Sequence, residues 1–287
     1  MARLIDWTEI DRCLVGIYAS AKREASWPPL ALFKAMLLSV RYNLSDVKLA
    51  DSLEDRASFR RFCGFAAHEA TPERTAFVRF RKALTENGLD RSLFEVIVWQ
   101  LDEHGIIVQT GTLVDATIIP SASIRHEGEA RWAGHRRRKP VHGYKAHVVS
   151  DEEQIVRRVE ITPANVHDGS VLPSILPSET GTVYADMGYD SHINREAIHA
   201  KGGRKRIAQR SAWGRDPEAT QAALNAWNAS VAAVRCRIEK VFGTWKRSYG
   251  LARMRFIGSA KANLQVHFTA IAYNLRRAWR ILAPQSA

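Results

Sequence analysis

Three acids stand out for where they sit. The segment Val234–Gly250, VRCRIEKVFGTWKRSYG, holds one carboxylate, Glu239, among Arg235, Arg237, Lys240, Lys246 and Arg247, with Arg253 just beyond. Asp115 interrupts the apolar run LVDATII, and Asp186 directly follows VYA. A carboxylate inside an apolar strand is expensive unless it is paired or binds a metal. Oxygen ligands of this kind suit Mg²⁺, and two such ions can clamp the attacking and leaving oxygens of a phosphoryl transfer. The acids lie 71 and 53 positions apart in sequence, so only folding can bring them together. Each also has a plainer reading: Asp115 as a turn residue, Asp186 as an Asx-turn, Glu239 as a surface ion pair.

The helix through Glu239 sharpens the choice. At about 100° per residue, positions four and eleven along lie about 40° and 20° round the helix. Arg235, Glu239 and Lys246 therefore share one face. Pairing at i, i+4 explains Arg235 with Glu239, but does not explain Lys246. A face offering one carboxylate to metal and two cations to phosphate does.

The elements that must hold these residues fall into two groups. SWPPLALFKAMLLSVRYNLS predicts a helix begun by proline. Ser45 caps a second predicted helix that stops near Gly64. Thr71-Pro72 reads as the start of a third, with Phe77, Phe80 and Leu84 on its apolar face and Gly88 at its end. Asp90 reads as the cap of a fourth, which carries Leu93, Phe94, Ile97, Val98 and Leu101 and is closed by Gly105. Helices of this kind in a basic chain suit a helix-turn-helix DNA-binding module, or equally a helical scaffold. Arg60, Arg61, Arg79, Arg81 and Lys82 are its candidate phosphate contacts.

After Gly105 the period changes. GTLVDATIIPS, VHGYKAHVVS and QIVRRVEITPA predict three strands. HDGSVLPSIL predicts a short helix, TGTVYADMGYDS a strand and turn, and HINREAIHAKGG another helix. RKRIAQR predicts a last strand, followed by helices over about Ala222–Lys246 and ANLQVHFTAIAYNLRRAWRIL. A meander followed by helix-linked strands gives an α/β, ribonuclease H-like mixed sheet flanked by helices. The expected domains are an all-α N-terminal DNA-binding domain, 1–106, and a ribonuclease H-like domain, 107–287.

Composition narrows the partners. The chain has 287 residues, 46% of them apolar, and a net charge of +12; its isoelectric point is near 9.9. The apolar share excludes a disordered protein, and the charge favours a polyanion, nucleic acid above all. No apolar run approaches the roughly 20 residues of a membrane span. The start MARLIDWTEI lacks the pattern of a secretory signal, so a cytoplasmic location is expected. Cys13, Cys63 and Cys236 are too few and too scattered for a disulfide framework or a zinc knuckle.

In sum, the ordered motifs resemble a bacterial insertion-sequence transposase of the DDE class, of the IS-five group within the IS4-like superfamily. RRFCGF with TPERTAFVRFRKAL resembles that family's helical region, TLVDATIIPS its first-acid block, and HGYKAHVV with ITPANVHD its hairpin and exit. VYADMGYDS resembles the second-acid block, and RCRIEKVFGTWKR the Arg-x₃-Glu-x₆-Lys signature. The resemblance implies Asp115, Asp186 and Glu239 as ligands of two Mg²⁺ ions, with Mn²⁺ able to substitute. It implies Arg235 and Lys246, and with them Lys145, as contacts to DNA. It further implies double-stranded DNA partners, namely the element's inverted repeats and a target, and a homodimer or larger assembly. The wider signature carries a Tyr three residues before the Arg; here that position is Ala232. Two competing readings are an inactive DNA-binding descendant and a ribonuclease H-like nuclease that cuts without joining.

Other features read as secondary. His142 and His147 are five apart and face opposite sides of one strand, which disfavours zinc. His167-Asp168 suits a helix cap. RHEGEARWAGHRRRKP reads as a basic loop in which Arg136, Arg137, Arg138 and Lys139 suit phosphate, and AQRSAWGRDPEATQ reads as a second loop.

Overall fold

The computed structural model describes residues 4–18, 27–135 and 138–283. Its compact units are Met1–Ile106 with Trp245–Ala287, and Ile107–Thr244. The expected C-terminal domain ran on to residue 287, whereas residues from Trp245 onward cluster with the N-terminal helices. The last helix explains this. Every residue in it from Leu264 to Leu275 is buried, and Phe268 packs on Phe33 of the N-terminal helices.

The first unit contains α1 (Trp7–Leu14), α2 (Pro29–Arg41), α3 (Asp46–Asp55), α4 (Ala57–Cys63), α5 (Arg74–Glu86) and α6 (Leu89–Glu103). Phe33, Phe77, Phe80, Phe94 and Phe268 are all buried in its core. Ser45 caps α3 by accepting from the Lys48 N–H at 3.3 Å. Three local expectations are corrected. The predicted helix up to Gly64 breaks at Arg56, whose backbone is extended and whose N–H closes α3 on Ser52. Helix α5 starts at Arg74, after Glu73, rather than at Pro72. Asp90 does not cap α6; Gly88, at φ 62°, takes that position. Asp90 turns inward and meets the buried His267 Nδ1 at 2.6 Å. Two expected phosphate contacts are also internal. Arg60 donates to the Leu53, Ala66 and Glu69 carbonyls, and Arg81 pairs with Asp46 at 2.7 Å.

The second unit is built on a mixed sheet. Its elements are β1 (Gly111–Pro120), β2 (Arg131–His135), β3 (Arg138–Asp151), β4 (Val156–Pro163), α7 (Asp168–Ile175), β5 (Thr182–Ala185), α8 (His192–Ala200) and β6 (Arg204–Ile207). Helix α9 (Pro217–Ser248) follows, and α10 (Ser259–Leu282) belongs to the first unit. The strand order is β2-β3-β1-β5-β6, with β4 also on β3. β1 is antiparallel to β3 and parallel to β5, and β5 is parallel to β6. This is the α/β mixed sheet expected from the sequence, with helices on its faces. The stretch read as a basic loop is instead largely β2 and the start of β3, paired from Arg131 with Gly143. Arg136 and Arg137 lie outside the described residues. Gly143 has to be glycine: a Cβ there would stand 2.2 Å from the Ile119 carbonyl oxygen.

Candidate active site

Strand register brings the first two acids together. Leu113 of β1 is level with Tyr184 of β5. Two residues further on come Asp115, within β1, and Asp186, the first residue past β5, which the parallel register carries side by side. Side chains alternate across a sheet. Val114, Val183 and Ala185 point into an apolar cluster with Val171, Leu172, Tyr189 and Ile198. Asp115 and Asp186 therefore fall on the opposite face. Asp186 ends its strand by accepting from the Gly188 N–H, which turns the chain through Met187–Tyr189. This is the Asx-turn its plainer reading foresaw.

Helix α9 reaches this face. The Arg235 guanidinium lies 2.7 Å from Asp115 Oδ2 and 3.3 Å from Glu239 Oε1. The i, i+4 pair expected from the sequence is thus present, and Arg235 also ties it to the strand acid. Asp115 is partly buried, at 19% side-chain exposure, while Glu239 is 59% exposed. Burial pushes the Asp115 carboxyl up to about 6; the Asp186 and Asp168 charges add to the rise, and the Ala116 N–H and Arg235 oppose it. The predicted helix began near Ala222; the real one begins at Pro217 and runs unbroken past Lys246. Arg235, Glu239 and Lys246 are thus carried on one helix.

The structure places Lys145 differently from expectation. Its Nζ lies 2.6 Å from Asp168 Oδ1 and donates to the Val166 carbonyl at 2.7 Å, with the side chain only 12% exposed. His147, two residues along the same strand, is fully buried and meets Thr162 Oγ1 at 2.9 Å. Burial and Lys145 push its imidazole down to about 4, against the pull of Asp168. His142 bonds Ser121 instead, so the two histidines are apart. His167 caps α7 by accepting from the Gly169 N–H at 3.2 Å. Asp168 itself was read only as part of that cap, and its charge near Asp115 was missed. The sequence signal was an acid directly after the exit of the third predicted strand, but only the fold shows where α7 begins.

These acids fit a hard divalent cation by chemistry. All the donors are oxygen, two stand side by side, and the third is already gathered round a positive charge. Among the described residues no three His, Cys, Asp or Glu side chains stand as a finished metal cluster. The Arg235 guanidinium joins Asp115 to Glu239 instead, so holding a metal requires the exposed Glu239 side chain to turn.

Comparison with known families agrees with this geometry. Residues 107–275 match the family model described as Transposase DDE domain, and residues 1–83 match one described as Transposase domain (DUF772). The chain belongs to the DDE transposases. The first match covers more than half of its length and includes Asp115, Asp186 and Glu239. DDE transposase domains generally use divalent metal ions, and the family acts on DNA. Among the described residues no helix is long and apolar enough to cross a membrane.

Proposed function

We propose that this transposase binds the terminal inverted repeats of its own insertion sequence, cleaves DNA at the element ends and joins them to a target. The observation that carries the reading is the linked set Asp186, Asp115, Arg235 and Glu239, built from the middle of β1, the end of β5 and one long helix. In this reading the element is of the IS-five group, residues 1–106 include the DNA-binding domain, and the unit Ile107–Thr244 provides the ribonuclease H-like chemistry.

Asp115, Asp186 and Glu239 hold two divalent ions, Mg²⁺ or in its place Mn²⁺. When bound, the ions supply Lewis-acid stabilisation to the attacking and leaving oxygens. Asp115 and Asp186 are fixed by the sheet, so their carboxylates are pre-oriented and little order is lost at reaction. Glu239 closes the set from α9. Arg235 holds Asp115 ionised and oriented before the ions arrive, a positioning role beside the DNA contact its signature implies. Lys246, further along α9, meets the phosphate backbone. Cleavage and joining are both in-line displacements, so one set of acids serves both. Two ends must be held at once, which calls for a dimer or larger assembly on DNA, at work in the cytoplasm.

The test is a cleavage-and-joining assay with purified protein, DNA bearing the flanking inverted repeats, and Mg²⁺ or Mn²⁺. Wild type should cut at the repeat ends and give joined product. Asp115→Ala, Asp186→Ala and Glu239→Ala should each abolish cutting while still binding the ends. Cutting without joining would replace the transposase reading with a nuclease; binding with neither reaction would make this an inactive descendant.

A further inference from the structure

Behind the acid pair, on the other face of the sheet, lies a second charged group. Lys145 projects from β3 with His147, two residues on along the same face. Asp168 opens α7 and takes the Lys145 ammonium. The start of α7 packs tightly on the turn that follows Asp186. A Cβ on Gly169 would stand 2.7 Å from the Gly188 carbonyl oxygen, so the backbones touch where Asp168 and Asp186 are each one or two residues away. The Tyr189 hydroxyl is buried at this place, the residue being 1% exposed, and has no hydrogen-bond partner among the described residues. The Asp168 charge is felt at Asp115, at His147 and at Tyr189. Asp168 is thus held close to the acid pair without joining it.

The Lys145 ammonium is largely buried while Asp168 is 37% exposed, and a half-buried pair of this kind adds little to a fold's stability, so its place calls for a use. Charges several ångströms apart across a packed sheet still interact, with the exposed part of Asp168 screening the effect in part. An extra carboxylate behind Asp115 and Asp186 makes the site more negative, and the ammonium beside it limits the effect.

We propose that the Lys145–Asp168 pair sets the affinity of the Asp115–Asp186 site for a divalent cation, Asp168 strengthening binding and Lys145 restraining it. The proposal rests on the acid-site reading above and gives Lys145 an internal role in place of a DNA contact. Both are positioning residues.

The test is Mn²⁺ titration of the full chain without DNA, following free Mn²⁺ by its electron paramagnetic resonance signal. The proteins are wild type, Asp186→Asn, Asp168→Asn, Lys145→Met and the double variant Asp168→Asn/Lys145→Met. Asp168→Asn should weaken binding by about threefold to tenfold, and Lys145→Met should tighten it by a similar factor. The double variant should return to within about twofold of wild type, which also shows that neutral side chains fold there. A merely structural pair would give losses in both single variants, and that result overturns the proposal. So do three variants that bind Mn²⁺ as wild type does while Asp186→Asn has lost it. Weaker binding of a short duplex by Lys145→Met, with Mn²⁺ affinity unmoved, would make Lys145 a phosphate contact and overturn it too. Absence of any Asp186-dependent Mn²⁺ binding in wild type would remove the acid-site reading, and the proposal with it.

Discussion

His147 gives the sheet a calculable acid sensitivity. It is fully removed from water, at 0% exposure, and its ring meets Thr162 Oγ1 at 2.9 Å. Its imidazole titrates near 4 in the folded chain against an ordinary value of 6.5. A base whose folded value is depressed takes up its proton more readily when unfolded. Stability is therefore complete above about 6.5 and falls as the pH drops toward 4. Linkage gives a loss of about 2 kcal/mol between pH 7.5 and pH 5, approaching about 3 kcal/mol by pH 4. Asp115 and Asp151, both pushed up to about 6 mainly by burial, act in the opposite sense over roughly pH 4–6. The measurement must therefore compare wild type with His147→Met, in which only the histidine contribution is gone. Native-state hydrogen exchange at the β3 amides reads the opening of this sheet without requiring the two units to unfold together. At each pH the intrinsic exchange rates cancel between the two proteins. The opening free energy of wild type should fall by about 2 kcal/mol relative to His147→Met on going from pH 7.5 to pH 5. Parallel pH profiles would refute the reasoning, because they would mean that His147 is hydrated or already charged in the folded protein.

Two further perturbations test the site and its scaffold. Arg235→Met removes both guanidinium contacts and leaves Asp115 buried beside Asp186, so thermal stability without divalent ions should fall by about 1–3 kcal/mol. Mg²⁺ should then raise the melting temperature of this variant more than that of wild type; equal shifts would show that Arg235 does not stand in for a cation. Gly143→Ala should lose on the order of 3 kcal/mol, since its Cβ would meet backbone rather than a movable side chain and β1 would have to part from β3; an unchanged melting temperature would show that the strands can separate freely.

Much of the sheet was legible because its strands are short apolar runs between polar turns, and period alone marks them. β2 was not: RWAGH is basic and has few apolar residues, and it becomes a strand only by pairing with the β3 backbone. Helix starts were the weaker part. Thr71-Pro72 and Asp90 carry the right residue types for caps, yet a local preference of about 1 kcal/mol yields when tertiary structure gives the side chain a better use. Asp90 found it in His267, 177 positions away.

The same distinction separates what could be read of the site from what could not. Asp115 and Asp186 are visible in sequence because each breaks an apolar pattern, and such a break is a local event. Their nearness follows from β1 and β5 being parallel neighbours, which strand order alone suggests. The inward turn of Arg235 and the placement of Asp168 depend on which face a helix presents and on where a loop ends. The helical period gave Arg235 its pairing with Glu239 but not its reach to Asp115, and Asp168 lies in a polar stretch with no period to constrain it. Arg235 read as a DNA contact because it shares a helix face with Lys246 and fits the Arg-x₃-Glu-x₆-Lys signature, and Lys145 read likewise from its block. In the fold both turn toward carboxylates, one on each face of the sheet. Positive charge in this chain therefore has two destinations. One part covers the surface and suits phosphate; the other meets Asp115, Glu239 and Asp168 around the site.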